Sequence, residues 1–287
     1  MKNKVNHLID FLSRKNIILF FGALCCAFLV LITIFAPLLQ THDPTHMDLS
    51  NAFTKPCVEY PFGTDNMGRC ILCRVIEGSR LSLTTAALVV IISAIGGTLI
   101  GLISGYTGGK TDAVIMRIVD IFLAFPTIVF ALAISTMLGK SGQRNLVIAI
   151  SCIQWTRYAR MARGEVVLLK NAEFIEAARS MGNTNIQIIF RYLLPNVVSK
   201  ILILMSLDIG SIILYCASLS FLGLGAQPPS PDWGAMISDG KDYLRFSYWM
   251  SLFPGLAIAF SALSFNMLGD GLRDLIDPRM RESIAAE

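Results

Sequence analysis

A few groups of residues in this sequence have types and spacings that could do chemistry. Cys70-x-x-Cys73 has the gap of a disulfide or of one half of a zinc site, but no second pair completes a four-ligand set. His42 and His46 stand four apart with Asp43 between them, a ligand spacing that needs a helix, and Pro44 works against one. No metal site is therefore expected. Gly108-Gly109-Lys110-Thr111 has the ending of a phosphate-binding loop, yet the pattern requires Gly at position 104, where Ser104 stands. It also follows a long apolar run instead of a strand, so it reads as a short turn. Asp120, Asp208 and Asp270 are acids within or closing apolar runs, where an ionisable group marks a functional position by default. No apolar run carries paired histidines or a Gly-x-Ser-x-Gly, so no catalytic residue is assigned and no enzyme is expected.

The elements that must position these residues are membrane helices. Of 287 residues 54% are hydrophobic and only 15% charged, and the mean hydropathy is +0.62. A water-facing surface needs about 25% charged residues, so this chain has too few to cover one. The net charge of +4 carries no basic stripe interleaved with aromatics, which excludes nucleic acid as a partner. Ile17 to Leu39, Leu81 to Ile103, Ile121 to Gly139 and Phe246 to Gly269 hold no charged residue, and Ile201 to Ala226 holds only Asp208. Each is long enough to cross a hydrocarbon core, which takes about 20 helical residues. Cys25, Cys26, Cys152 and Cys216 fall in apolar spans, where cysteine behaves as a small hydrophobe.

Charge placement adds a sixth span. Lys2, Lys4, Arg14 and Lys15 put the amino end in the cytoplasm, and so do Arg157, Arg160, Arg163, Lys170, Arg179, Arg191 and Lys200 for the segment that bears them. An even number of crossings must separate the two, so Leu146 to about Ala162 spans, with Arg157 and Arg160 snorkelling to the interface. The division expected is a cytoplasmic amino end at 1–16, a first span at 17–39, an extracytoplasmic loop at 40–80, a membrane core at 81–270 and a cytoplasmic tail at 271–287. Asp120 is expected to pair with Arg117 one turn away, and Asp270 with Arg273. Asp208 has no basic residue within one turn, which leaves a hydrogen bond to a neighbouring helix or a place in a translocation pathway.

The long cytoplasmic loop, 163–196, is the most informative stretch. Glu165 to Met181 contains neither Pro nor Gly and reads as a helix. Val167, Phe174, Ile175, Ala178 and Met181 make up its apolar face. Gly182 and Asn183 supply a stop. A second short helix is expected from about Thr184 to Tyr192, with Pro195 preceding the fifth span. Ala177 and Ala178 at the centre leave room for another protein's surface, the plain alternative being an interfacial helix.

Glu176-Ala177-Ala178, three residues, Gly182, nine residues, then Tyr192-Leu193-Leu194-Pro195 resembles the EAA loop of ATP-binding-cassette (ABC) importer permeases, with Tyr192 where Ile is common. The Gly63-Thr64-Asp65-x-x-Gly68-Arg69 run, Met116-Arg117…Asp120…Pro126, Ser220-Phe221-Leu222-Gly223-Leu224-Gly225, Trp233-Gly234 and Gly269-Asp270-Gly271-Leu272-Arg273-Asp274…Asp277-Pro278 are similar to the peptide/nickel permeases among them. Cys70 departs from that pattern, which often has an acid there. The resemblance implies an all-α, six-helix type I importer permease in the cytoplasmic (inner) membrane, with Glu176, Ala177, Ala178, Gly182, Leu194 and Pro195 coupling it to the ATPases. It implies no cofactor in this chain, with ATP and Mg on two partner ATP-binding subunits. It further implies a homologous second permease subunit and an extracytoplasmic substrate-binding protein.

Leu207-Asp208-Ile209-Gly210 and the stretch from Asp239 to Tyr243 look more like the nickel branch than the dipeptide branch. The cargo expected is nickel or a related divalent metal, chelated because no histidine lies in a span, with dipeptides or oligopeptides as the alternative. Asp208 is then the candidate pathway residue.

Overall fold

In a computed structural model, residues 14–139 and 141–276 are described, and they hold helices and no strands. Lys2, Lys4, the 271–287 tail beyond Ile276 and the Asp277-Pro278 ending lie outside those residues. Helices α1 (Arg14–Leu39), α2 (Ile71–Thr107), α3 (Gly109–Leu123), α4 (Thr127–Met137), α5 (Gln143–Leu169), α6 (Glu173–Ser180), α7 (Asn185–Phe221), α8 (Trp233–Gly240) and α9 (Trp249–Ile276) follow in order. Four of them, α1, α2, α7 and α9, are long and apolar enough to cross a membrane.

The run from Ile121 to Gly139, expected to be one straight span, is instead broken. Pro126 has no N–H to give and keeps Phe125 out of the helical region, so α3 and α4 meet at 93° and form one bent candidate span together. α9, by contrast, runs through Pro254 without a break. α2 starts ten residues before the apolar run that marks it, because Arg74, Glu77 and Arg80 are helical although charged.

α5, expected to span on charge placement, is not among the helices apolar enough to do so by composition, and packing fixes its position. Ile150, Ile153, Tyr158, Ala159, Ala162 and Val166 are all buried, chiefly against α2. The contact is close because Gly97, Gly101 and Gly105 recur every fourth residue along α2, the small-residue spacing that lets membrane helices touch at the backbone. A Cβ at Gly97 would lie 2.7 Å from Tyr158 Cβ, one at Gly101 2.8 Å from Ala162 Cβ, and one at Gly105 2.8 Å from Val166 Cβ.

Two clusters form the core. One joins Ile71, Val89, Ile150, Ile212, Trp233 and Trp249. The other runs from Ala94 and Leu102 through Tyr158 and Val166 to Ile175, Ile188 and Leu193, so it extends beneath α6. The two lie toward opposite ends of α2, which at about 1.5 Å per residue is about 55 Å long.

At the end where α2 begins, residues 40–70 fold into a cap with α8. Trp249 Nε1 donates to Thr64 O at 3.1 Å, Trp233 Nε1 to Val75 O at 2.9 Å, and Phe62 stacks on Phe253 at 3.9 Å. Asp65 accepts from the Met67 and Arg69 N–H groups at 2.9 and 3.0 Å and pairs with Arg69 Nε at 2.6 Å. Arg74 Nε lies 3.7 Å from the same carboxylate. The Gly63-to-Arg69 motif thus builds a buried ionic knot that holds the cap. Asp232 caps α8 by accepting from the Gly234 and Ala235 N–H groups, and burial pushes its carboxyl above the ordinary range while those bonds and the Ser220 hydroxyl pull it back.

Candidate coupling surface and the ionic contacts between helices

At the other end of α2 the chain turns at Gly108 and Gly109, both at positive φ, and enters α3. Ser104, the residue that breaks the phosphate-loop pattern, donates to Asp112 Oδ1 at 2.5 Å. Asp112 in turn accepts from Arg163 Nε at 3.1 Å and Nη2 at 2.6 Å, a forked pair that ties α3 to α5. Of the Gly-Gly-Lys-Thr run only Gly108 lies between the two helices, and Gly109, Lys110 and Thr111 open α3.

The helix expected over Glu165 to Met181 is two helices. α5 ends at Leu169, residues 170–172 turn, and α6 begins at Glu173. Lys170 Nζ donates to Gly105 O at 3.2 Å, which fastens the turn to the end of α2. Residue propensity alone did not reveal this break, because it is set by a contact 65 residues away.

α6 carries two faces, and they are not the ones its sequence pattern gives. Ile175 and Ala178 are fully buried in the chain's own core, whereas Phe174 and Met181 are 42% and 69% exposed. Ala177 and Glu176 are exposed; Ala178 is not. Of the two alanines only Ala177 is therefore open to another surface, and Ala178 seats α6 on its own core. Gly182, exposed and at φ +81°, closes the helix. Its N–H donates to Arg179 O at 2.9 Å and the Asn183 N–H to Ala178 O at 3.2 Å, the paired bonds of a Schellman stop. Thr184 and Gln187 then form a reciprocal capping box that starts α7.

α7 does not stop before Pro195. Ile188–Leu193 is a π-helical turn in which Leu194 N–H reaches Ile189 O, and Pro195 sits in the first turn beyond it. The wider turn keeps the helix continuous next to a residue that cannot donate to it. Leu193 is buried, Leu194 half-buried and Pro195 exposed. Tyr106, near the end of α2, donates to Asn185 Oδ1 at 2.8 Å, and Arg179 lies over its ring at 5.7 Å. The result is a small helix–turn–helix held from below, with Phe174, Met181, Ile186 and Phe190 exposed beside Glu173, Glu176 and Arg179.

The acids in the helices are placed differently from their sequence neighbours' promise. Asp120 pairs not with Arg117 but with Arg160 Nη2 of α5 at 2.7 Å. Asp208, 1% exposed, pairs with Arg157 Nη1 of α5 at 2.6 Å, whose own side chain is 43% exposed. Asp270 is exposed and makes no ion pair with Arg273 among the described residues. Arg157, Arg160 and Arg163, spaced three apart, thus each meet an acid on a neighbouring helix. The i, i+3, i+6 run of arginines was the available signal; which acids they meet depends on tertiary packing.

The described residues, all helical with several helices apolar enough to cross a membrane, a bent helix pair and an exposed helix–turn–helix at one end, have the architecture of a polytopic membrane protein. The MetNI methionine ABC transporter in inward-facing conformations has a similar fold, with a TM-score of 0.60 at 17% identity over 72% of this chain and 98% of that one. The chain belongs to the family of binding-protein-dependent transport system inner membrane components, whose model matches residues 97–282. It is 44% identical over 268 residues, 93% of this chain and 88% of the relative, to the dipeptide transport system permease protein DppC of Alkalihalophilus pseudofirmus. It is 40% identical to the probable D,D-dipeptide transport system permease protein DdpC of Escherichia coli, over 90% of this chain and 86% of that one. The glutathione transport system permease protein GsiD of Pectobacterium atrosepticum is 41% identical over 88% of this chain and 84% of its own length. This is an inner-membrane permease component of the type I ABC importer fold.

Proposed function

We propose that this chain is a translocation subunit of an ABC importer for dipeptides or other short peptides. The observation that carries the cargo is its 44% identity, over 93% of its length, to a relative named for dipeptide transport, together with two further relatives named for D,D-dipeptides and glutathione. The preference for nickel is corrected accordingly. The acid in each of the two stretches that resemble the nickel branch lies beside an arginine. Asp208 is covered by Arg157, and Asp239 lies 4.0 Å from Arg69. Arg157 is the exposed member of its pair, and a guanidinium repels a bare divalent cation while attracting a carboxylate such as a peptide terminus. Gly210 has a packing reason of its own, since a Cβ there would lie 2.5 Å from the Asn266 side chain.

The chain crosses the membrane six times in this reading: α1, α2, the bent α3–α4 pair, α5, α7 and α9. The cap and α8 lie together at one end and the α6 turn at the other, which fits the three crossings, α2, α3–α4 and α5, between residues 40–70 and α6. The α6 end faces the cytoplasm and docks on one of two ATP-binding subunits that hold ATP and Mg. Glu176, Ala177 and Gly182 meet that subunit, while Ala178, Leu194 and Pro195 connect α6 to the bundle. A second permease subunit completes the channel and an extracytoplasmic binding protein delivers cargo to the cap end. ATP-driven approach of the ATPases shifts the bundle between inward- and outward-open states.

The test is uptake of labelled dipeptide and of radioactive nickel in cells with and without this chain. Dipeptide uptake should disappear with the chain and return with it, with nickel uptake unchanged; the opposite pattern would reverse the cargo. Gly182→Arg should be inserted normally but abolish uptake, because it strains a positive φ and fills the docking face. Asp208→Asn removes one half of the buried pair, and we place Asp208 in the pathway only through Arg157. Uptake of that variant should fall at least tenfold with the ATPases still bound; dissociation of the complex would make the pair purely structural.

A further inference from the structure

At the cap end a histidine converges with two cysteines that lie nearly thirty residues further along the sequence. His42, Cys70 and Cys73 each offer one ligand atom, and these atoms all lie within 4.8 Å of one another. Both cysteines are buried and free, and His42 is half-buried. Cys70 is the N-cap of α2, with its Sγ accepting from the Cys73 N–H at 3.5 Å. Its place is fixed by the Thr64–Cys70 bridge and the buried Asp65–Arg69 pair next to it. His42 is held from the opposite side: its ring stacks on Tyr60 at 4.9 Å, and its Nδ1 is 3.0 Å from the Thr41 hydroxyl. That hydroxyl is also 3.6 Å from Cys73 Sγ.

We propose that His42, Cys70 and Cys73 form a binding site for a thiophilic metal ion of the zinc type. The Cys-x-x-Cys pair lacks a second pair in the sequence, and His42 supplies a further ligand from a segment that only the fold brings near. Bonds of about 2.3 Å to sulfur and about 2.0 Å to nitrogen place tetrahedral ligands about 3.5–3.8 Å apart, so the donors need to close by about 1 Å. Binding releases the two thiol protons and leaves the fourth position open to solvent on the His42 side. Thr41, bonded to the His42 ring, orients the imidazole as an outer partner. The ion would clip the linker that follows α1 to the start of α2. This inference stands on the cluster alone and does not depend on which cargo the permease carries.

The full-length chain, purified in detergent under reducing conditions, is incubated with zinc, desalted and analysed for bound metal, with cobalt(II) as a spectroscopic probe. Stoichiometric zinc and a thiolate-to-cobalt charge-transfer band are expected in the wild type and in Cys57→Ser, and neither in Cys73→Ser. Because Cys73 is buried and its variant can fail to fold, His42→Ala provides the second arm. It should weaken zinc binding by at least the about tenfold that loss of even an outer partner costs. Absence of zinc from the wild type, unchanged zinc in both variants, or a Cys70–Cys73 disulfide in protein isolated without reductant would overturn the site.

Discussion

The cap end of the bundle buries its charges, and the α6 end exposes its apolar residues. Asp65, Arg69 and Arg74 are each 5% exposed or less, with the one carboxylate shared between two guanidinium groups, while Phe174, Met181, Ile186 and Phe190 are each more than 40% exposed. Ordinary expectation is the reverse, because lone charges favour water and apolar side chains avoid it. The cap reaches its state through shared partners: the Asp65 carboxylate, two guanidinium groups, the backbone N–H groups of the 65–69 turn, the Pro44 and Pro229 carbonyls that accept from Arg74, and Asp239 beside Arg69. The α6 turn also satisfies its backbone, through the Schellman bonds and the capping box, yet leaves side chains unpacked. Exposed apolar residues rimmed by charge on a well-anchored element mark an interaction surface, not a poorly folded one. One end is finished within the chain and the other is finished by a partner.

The largest break in that comparison should come from the cap. Asp65→Ala leaves Arg69 and Arg74 buried with only the exposed Asp239, 4.0 Å from Arg69, as counter-charge, and removing one partner from a buried pair costs about 3–5 kcal/mol. The purified chain should melt well below wild type, and its remaining uptake should fall with the amount of folded protein. Wild-type melting would mean that water reaches the knot and screens it.

Neighbouring residues on α6 sharpen the contrast. Ile175 is fully buried and Phe174 is 42% exposed. Ile175→Ala should cost about 2–4 kcal/mol of stability through the cavity it leaves. Phe174→Ala should leave melting within about 0.5 kcal/mol of wild type, as surface changes do, while weakening ATPase association severalfold in co-purification. If both variants destabilise alike, α6 is a core element and not a docking surface.

How much of this was visible in the sequence differs between the same two regions. Uncharged runs marked α1, α2, α7 and α9 because hydropathy reports the match to lipid. They misplaced the start of α2 because a helix continues past the hydrocarbon wherever its backbone bonds allow, here through Arg74 and Glu77. The EAA-like spacing located the α6 turn and its Gly182 stop, since a positive φ and a capping box are local chemistry. It could not say that Ile175 faces in and Phe174 out, because that depends on where α2 and α5 lie. Gly97, Gly101 and Gly105, four apart, are a helix-contact signal legible in the sequence itself. The cap was the least legible part. Asp65–Arg69 is local, but the Trp249–Thr64, Trp233–Val75 and Arg69–Asp239 contacts join residues more than 150 positions apart.

The smallest expected effect tests whether the α6 turn is a unit apart from the core. Thr184 accepts from the Gln187 N–H, and Gln187 Oε1 accepts from the Thr184 N–H at 2.8 Å, so the capping box satisfies two backbone donors at the exposed start of α7. Thr184→Ala removes the first bond and loosens the second, at a cost of about 1 kcal/mol. Since the turn is exposed while Ile188 and Leu193 just beyond it are buried, the loss should stay local. Hydrogen exchange at residues 184–187 should quicken by about fivefold, which is what 1 kcal/mol allows, with melting of the whole chain unchanged. An equal rise in exchange along α5 and α7 would mean that the turn and the core open together, and that the α6 end is as much a finished part of the fold as the cap.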